Sequence, residues 1–509
     1  VWNYQFLADY FSSPPSAQSK KQITLSLKEI SLKNIHVKHR DEWRGQDMEL
    51  DLQQLALKAD EINFTKKLVS IATLELDEPV FTIYDYAGRR PKLPVSTTDS
   101  IQDTVAGPFN AGGWEMRVNE LTLNNGVFKS NRDVQRKTYD YFDASRIHFY
   151  AINGAFKKVA LLQDTLFANI NLSTKERSGF AVKSLTAAFR MQPGAMIFDS
   201  LDIRTPYSHL THYYAMRYND FNDDMSDFIS NVKLEGRFKS STLHSKDIAF
   251  FAPELKTWNR QIRMEGDVKG TIDHLNAKNF IVESGKDTYL NGNIKMAGLP
   301  DIDSTYIDFK ANAFRTTYDD IAGIFPDLKK ITDPRFNEIR NIGFKGNFTG
   351  FLRDFVTYGT IQTNLGAITS DLNMKFPAKG NAAYSGKIST DNFDMGTFIG
   401  VSSLGTVSFN GKVKGSGFSA QTLNANLDGL FSHLQYNDYN YENIVVNGHM
   451  DKKLFRGAVH VNDPNVIITL DGDIDFNTNK PEFNFFADLQ RSNLKRMGFA
   501  KEDVNVIGK

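Results

Sequence analysis

A glycine flanked two positions away on each side by an apolar residue recurs from residue 234 onward in this 509-residue chain. The motif reads LEGRF at 234–238, MEGDV at 264–268, LNGNI at 290–294, FKGNF at 344–348, FNGKV at 409–413 and LDGDI at 470–474. Residues two apart on a β-strand share one face, so each motif places two apolar side chains beside a bare backbone position. Such a position lets a strand bend or lets another group approach closely. The repetition predicts a curved sheet with one apolar face.

Apolar and polar residues alternate with period two over most of the chain, as in ITLSL at 23–27 and YIDFKANAF at 306–314. This alternation is typical of strands that bury one face and wet the other. The 39 Phe and 19 Tyr residues also favour strands. Helical periodicity is confined to short segments near 1–11, 247–258 and 320–330. We therefore expect a mainly β protein, a long, curved, repetitive antiparallel sheet (a β-taco or open β-groove) with a few short helices.

Two of the helical segments are near copies, DIAFFAPELK at 247–256 and DIAGIFPDLK at 320–329. The leading aspartate predicts a helix N-cap, and the internal proline predicts that the helix ends within about two turns. Looser copies begin at 393 and 492. These landmarks predict glycine-centred repeats at about 247–319, 320–393, 394–491 and 492–509. The last repeat is cut short, so we expect the natural protein to continue beyond Lys509.

The first half divides differently. Residues 1–22 are interpreted as a stub and linker, 23–88 as a first β unit and 114–246 as a second, before the repeats of 247–509. KEISLKN at 28–34 resembles NELTLNN at 119–125, which indicates an internal duplication. Residues 89–113 are rich in Pro, Gly, Ser and Thr and predict a loop insertion. We expect all the β units to form one continuous groove.

Composition excludes several classes of function. The formal net charge is zero, whereas a nucleic-acid-binding surface needs a basic excess. No stretch approaches the ~20 apolar residues of a membrane-spanning helix, and the absence of cysteine excludes thiol chemistry. No zinc-protease, phosphate-loop or serine-hydrolase motif occurs. We expect neither an enzyme nor a cofactor.

One segment has a weak resemblance to a calcium-binding loop. In DGDIDFNTNKPE at 471–482, Asp471, Asp473 and Asp475 fall at ligand positions of an EF-hand. The position that should be glycine is Phe476, and no amphipathic helices flank the segment. The interpretation that we prefer is a strand with aspartates on its wet face, and we expect no metal site.

The glycine-centred strands, the short Asp-Ile-Ala segments and residues 446–499 resemble the AsmA/TamB family of diderm bacteria. The segment KEISLKNIHVKHRDEWRGQDMELDLQQLALKADEI at 28–62 is similar to the start of such proteins just after their membrane anchor. The resemblance implies a TamB-like β-taco that conducts phospholipid through the periplasm, without catalysis, and supports the outer membrane. It also implies an inner-membrane anchor upstream and contact with an Omp85-type outer-membrane β-barrel through a C-terminal region, neither of which this chain contains.

Two other functions fit the same pattern. A scaffold or holdase would offer a sheet edge to outer-membrane β-barrel proteins during assembly or translocation, and a closed structural β-solenoid would have a dry core. For the conduit, the candidate lipid-contacting residues are the apolar flanks of the recurring glycines. They are Leu234, Phe238, Met264, Val268, Leu290, Ile294, Phe344, Phe348, Phe409, Val413, Leu470 and Ile474.

Overall fold

The computed structural model describes residues 28–89, 108, 110–253, 256, 258–324, 328–329, 331–332, 334–477 and 480–509. The stub at 1–22 and most of the insertion at 89–113 lie outside these residues. The described chain is mainly β, as the alternation predicts, and its strands form a single 26-stranded sheet.

The first thirteen strands are β1 (Glu29–Asp41), β2 (Gln46–Asn63), β3 (Leu68–Asp77), β4 (Val80–Asp85), β5 (Glu115–Arg132), β6 (Arg146–Leu162), β7 (Thr165–Glu176), β8 (Ala181–Gln192), β9 (Ala195–Arg204), β10 (His209–Arg217), β11 (Lys233–His244), β12 (Gln261–Thr271) and β13 (His274–Ser284). The others are β14 (Thr288–Ala297), β15 (Tyr306–Thr317), β16 (Asn341–Phe351), β17 (Asp354–Thr363), β18 (Gly366–Lys375), β19 (Ala383–Asp391), β20 (Phe393–Asp394), β21 (Leu404–Ser416), β22 (Asn424–Tyr436), β23 (Tyr439–Asp451), β24 (Leu454–Asp463), β25 (Val466–Asp475) and β26 (Glu482–Ser492). Short α-helices span Phe221–Ser226, Phe228–Asn231, Ser245–Ile248, Tyr318–Ile324 and Met395–Ile399. Within the described residues, every helix is too short or too polar to cross a membrane.

Over most of the chain, strands that are consecutive in sequence are neighbours in the sheet. From β5 to β26 each long strand pairs antiparallel with the next, and the two-residue β20 adds to the edge of β21. The sheet is antiparallel, as expected, except at one junction, where β5 runs parallel to both β3 and β4. A parallel neighbour needs a long connection, and the segment between β4 and β5 contains the predicted insertion at 89–113.

The recurring glycines bend the strands. Gly346 of β16 lies opposite Gly359 of β17, with φ angles of 152° and 154°. A Cβ added to Gly346 would lie 2.6 Å from the Cα of Gly359, so only glycine permits this backbone approach. A transverse line of small residues continues on both sides of this pair, and we call it the crease: Gly292, Ala311, Gly346, Gly359 and Ser370.

Bulges bend other strands at the same level. Asn279 has a φ of 48° at a register shift in β13, and a Cβ on the facing Gly266 would lie 2.7 Å from its carbonyl oxygen. Ser240, with a φ of 49°, occupies the matching shift in β11. An extra residue in left-handed geometry kinks a strand and strengthens its twist. At this level of the sheet, some strands therefore bend at a glycine and others bend at a β-bulge.

The described parts of the two duplicated segments each include a short helix, but the aspartates of these segments do not cap their helices. His244 caps the helix Ser245–Ile248, and Asp247 is its third residue. Asp320 likewise lies inside the helix Tyr318–Ile324. Both aspartate side chains are buried and accept hydrogen bonds from neighbouring hairpins, so the predicted N-cap is wrong. In the third copy Asp394 does cap its helix, accepting a hydrogen bond from the backbone N–H of Thr397.

Candidate apolar binding face

Strand register brings many of the predicted residues into rows on one face of the sheet. Direct partners across a strand pair point to the same side, so a row can be followed from strand to strand. One row contains Met264, Leu290 and Phe344, joined through Val282 and Phe314. A second contains Val268, Ile294, Phe348 and Val413. The crease runs between these two rows.

The face folds toward itself along the crease. Phe309 and Phe314 lie on the same strand, β15, on opposite sides of the crease. Residues five apart on a straight strand are separated by roughly 16 Å. The centroids of these two rings are only 6.4 Å apart, in an edge-to-face arrangement. The strand is therefore bent at the crease, so that two apolar side chains from its two halves meet.

In the later strands β23 to β25, the facing glycines lie two residues away from the line of the crease. The remaining candidate residues therefore fall into different rows. Gly448, Gly457 and Gly472 face one another in β23, β24 and β25, but they continue the row of Val413. Leu470 thus follows the row of Gly411 and Gly429. Phe238 lies opposite Gly266, at the crease itself. The six motifs contribute to one face without forming a single row.

Most of the candidate residues are half-buried. Phe409 is the exception at 6% exposure, because it packs in a cluster with Val407 and Val446. Each of the other eleven residues retains partial solvent contact. A large apolar surface that is neither sealed nor fully exposed is typical of a binding groove.

A third row on the same face is apolar or glycine on nearly every strand, and we call it the apolar row. It contains Ile62, Val69, Met116, Leu161, Leu166, Met191, Met196, Met216, Leu234, Gly270, Leu275, Met296, Ile307, Gly350, Phe355, Met374, Tyr384, Gly415, Ala425, Met450, Phe455, Ile474 and Phe483. It runs from β2 to β26, missing only β4 and the short β20. At ~4.8 Å per strand, it extends on the order of 100 Å.

Sequence reasoning placed only Leu234 and Ile474 of the apolar row among the candidates. The row also holds seven of the 12 methionines of the chain, a concentration that single-strand patterns do not reveal. They are Met116, Met191, Met196, Met216, Met296, Met374 and Met450. Methionine is flexible and polarisable, and it occurs often at surfaces that accept apolar ligands of varied shape.

The opposite face of the sheet is polar. Asp371, Lys387, Lys412 and Asp428 occupy four consecutive register positions there. A cleft of about 830 Å³ on this side is lined mainly by polar groups, among them Arg263, Glu283 and Arg315. The Arg263 guanidinium lies 3.7 Å from the Glu283 carboxylate, and Arg315 lies over the ring of Tyr289. The sheet is therefore amphipathic.

The calcium candidates lie on an extended strand. Asp471, Asp473 and Asp475 belong to β25, which is paired on both edges, so they do not wrap around a common centre. Asp473 instead pairs with Arg456 at 3.5 Å. One other group in the described chain has metal-ligand chemistry, His36 with Glu49 and Asp51. The imidazole of His36 already lies against both carboxylates, at 3.5 and 2.6 Å, on an open surface.

No family model, curated protein or solved structure matches this chain. Functional inference therefore depends on the residues and their geometry.

Proposed function

We propose that this chain conducts phospholipid along its folded apolar face, as a non-enzymatic conduit between the inner and outer membranes of a diderm bacterium. The observation that carries the proposal is the uninterrupted apolar row from Ile62 to Phe483. A site for one small ligand would need a local pocket, whereas this surface repeats the same chemistry on successive strands. The sequence resemblance to AsmA/TamB proteins adds the periplasmic location, the anchor upstream and the Omp85-type partner to the proposal.

Acyl chains match the groove in chemistry. Transfer of each methylene from water to an apolar surface contributes about 0.8 kcal/mol. The acyl chains would lie along the solvent-exposed sides of the rows of Phe348 and Phe344, while the head group stays in water. Repetition at each strand makes neighbouring positions nearly equivalent in energy. A lipid would then move along the row without a large barrier and without covalent chemistry.

Partial exposure favours the conduit over a closed solenoid. A dry solenoid core would bury the flanks of every glycine, yet of the twelve candidates only Phe409 is buried. The holdase hypothesis draws support from a different place, the last strand. Phe483, Phe485 and Phe486 of β26 are 60%, 40% and 59% exposed, a surface that an extended peptide could cover.

Lipid loading of matched variants tests the proposal. The purified chain is incubated with phosphatidylethanolamine and phosphatidylglycerol vesicles, re-isolated, and examined by native mass spectrometry and lipid extraction. The variant Phe344→Asp/Phe348→Asp puts charge on the apolar face of β16. The variant Lys345→Asp/Asn347→Asp puts charge on the exposed polar face of the same strand. We expect several lipids per chain in the wild type and the polar-face variant, and a clear loss in the apolar-face variant.

A second substitution guards against misfolding. Met374→Asp changes one half-exposed side chain of the apolar row and leaves the contacts at the crease in place. Circular dichroism and thermal unfolding report whether each variant is folded. Equal lipid loading by all folded variants would overturn the conduit, and so would a wild type that takes up no lipid. Binding of unfolded outer-membrane β-barrel protein in place of lipid would favour the holdase.

A further inference from the structure

Three methionines of the apolar row are adjacent. Met191 of β8 faces Met196 of β9, and Met196 faces Met216 of β10. We call Met191, Met196 and Met216 the methionine triad. Its neighbours along the row are Leu166 and Leu234, so the three thioethers lie in an otherwise hydrocarbon stretch. All three side chains are half-buried, which leaves them within reach of a small solute.

Thioethers on an accessible surface are the groups in this chain most open to two-electron oxidation, since the sequence contains no cysteine. Hydrogen peroxide transfers one oxygen atom to the sulfur. The peroxide O–O bond breaks, the S=O bond forms, and the other oxygen leaves as water. The product is methionine sulfoxide, a polar and chiral side chain that methionine sulfoxide reductases convert back to methionine.

We propose that the methionine triad is a reversible oxidation site that interrupts the apolar row. This proposal extends the proposed function, because the consequence of oxidation is expressed as lipid movement. Three sulfoxides on consecutive strands would place three strong dipoles side by side over roughly 10 Å of the row. An acyl chain that crosses this stretch would lose apolar contact and would desolvate polar oxygen without gaining a hydrogen bond.

The chain carries its own control. Met497 is 5% exposed and packs in a cluster with Val461 and Val466, so its sulfur is shielded from solution. The substitution Met191→Leu/Met196→Leu/Met216→Leu conserves volume and apolar character but removes the sulfurs. Volume-conserving apolar swaps of this type are the ones that packed sites tolerate best. Thermal unfolding before and after peroxide treatment verifies that each sample is folded.

The experiment has two readouts on the full chain. Peptide mass spectrometry after graded hydrogen peroxide treatment measures the rate of sulfoxide formation at each methionine. We expect oxidation of the triad to be roughly tenfold faster than oxidation of Met497, because susceptibility follows exposure. Phosphatidylglycerol loading is then compared before oxidation, after oxidation and after treatment with sulfoxide reductases.

We expect oxidised wild type to lose roughly half or more of its bound phosphatidylglycerol, and reductases to restore it. In the triple leucine variant, lipid loading after peroxide should equal that variant's own loading before peroxide, whatever its level relative to wild type. Equal oxidation rates at Met497 and the triad would overturn the site, and unchanged loading of oxidised, folded wild type would overturn its effect. Failure of the proposed function is distinct, because unoxidised protein would then take up no lipid whatever its sulfoxide map.

Discussion

Asp320 accepts a 2.5 Å hydrogen bond from the guanidinium of Arg260, which lies sixty residues earlier in the chain. The other carboxylate oxygen of Asp320 accepts a hydrogen bond from Thr288, the first residue of β14. Asp247 does the same one repeat earlier, accepting from Thr205 and Ser208 at the turn between β9 and β10. The helix that follows β11 is thus hydrogen-bonded to the β9–β10 hairpin, and the helix that follows β15 is hydrogen-bonded to the β13–β14 hairpin.

Asp320→Asn is expected to lower the free energy of unfolding by about 2 kcal/mol, because Arg260 keeps its charge in a half-buried position without a counter-ion. Burial alone would raise the pKa of Asp320, but the hydrogen bonds from Arg260 and Thr288 outweigh it and hold the pKa below its ordinary value. The stabilisation is therefore present above the pKa of the unfolded chain and lost as pH falls below about 4. Urea unfolding at pH 7 measures the loss, and Asp319→Asn, at the exposed neighbouring residue, is the control. Equal stability of the two variants would show that the interaction of Asp320 with Arg260 and Thr288 does not stabilise the fold.

Gly346→Ala is expected to destabilise the chain by about 2 kcal/mol, since the added methyl meets the backbone of Gly359 at a positive φ. Gly343 lies on the same strand, where an added Cβ would find its nearest neighbours at 3.7 Å. Gly343→Ala should therefore be neutral or slightly stabilising. Chemical denaturation of the two variants measures the difference. If both alanines are tolerated equally, the crease does not depend on glycine.

A double-mutant cycle tests whether β15 is bent in solution. Phe309→Ala and Phe314→Ala should show a coupling energy of about 1 kcal/mol, as contacting aromatic rings do. On a straight strand the two side chains would be too distant to interact. The pair of Phe309 with the exposed Phe351 serves as the additive control. Additivity in both cycles would indicate that the two sides of the crease do not touch.

Acid should loosen the segment between β5 and β6. Asp143 is fully buried there, and hydrogen bonds from Arg136, aided by the backbone N–H groups of Tyr139 and Ser145, lower its pKa to about 2. Because the pKa is depressed, the stabilisation of about 2 kcal/mol is present above the unfolded pKa and disappears between about pH 4 and pH 2. Asp143→Asn should remove this part of the acid sensitivity, and Asp140→Asn should retain it. Hydrogen exchange of residues 133–145 across that pH range is the measurement.

The period-two alternation was sufficient to predict the fold class, because the alternation of apolar and polar residues within each strand shows which side chains share a face. The duplicated segments likewise predicted equivalent positions, and Asn34 and Asn125 share a φ of 51° at the same place in their copies. The parallel placement of β5 was not predictable, since it depends on the path of a connection and not on local pattern. The role of Asp247 was missed for a related reason, because its partners lie on a turn about forty residues away.

The apolar row was invisible for a different physical reason. Whether Met296 faces Leu275 or a residue one place further depends on every bulge between them, such as that at Asn279. A single extra residue changes the register, and sequence alone does not fix where the bulges fall. The individual strands were therefore predictable, but their alignment was not.

The apolar row runs perpendicular to the strands, so its length is set by the number of hairpins in the sheet. Each antiparallel pair adds two steps, roughly 10 Å, and returns the chain to the same edge. Excising β17 and β18 as a unit would leave Gly350 to meet Tyr384 and would preserve both the up-and-down order and the face. Insertion or loss of whole hairpins thus changes the length of the molecule without altering its cross-section. The number of hairpins encoded in the gene therefore sets the length of the sheet in steps of one hairpin.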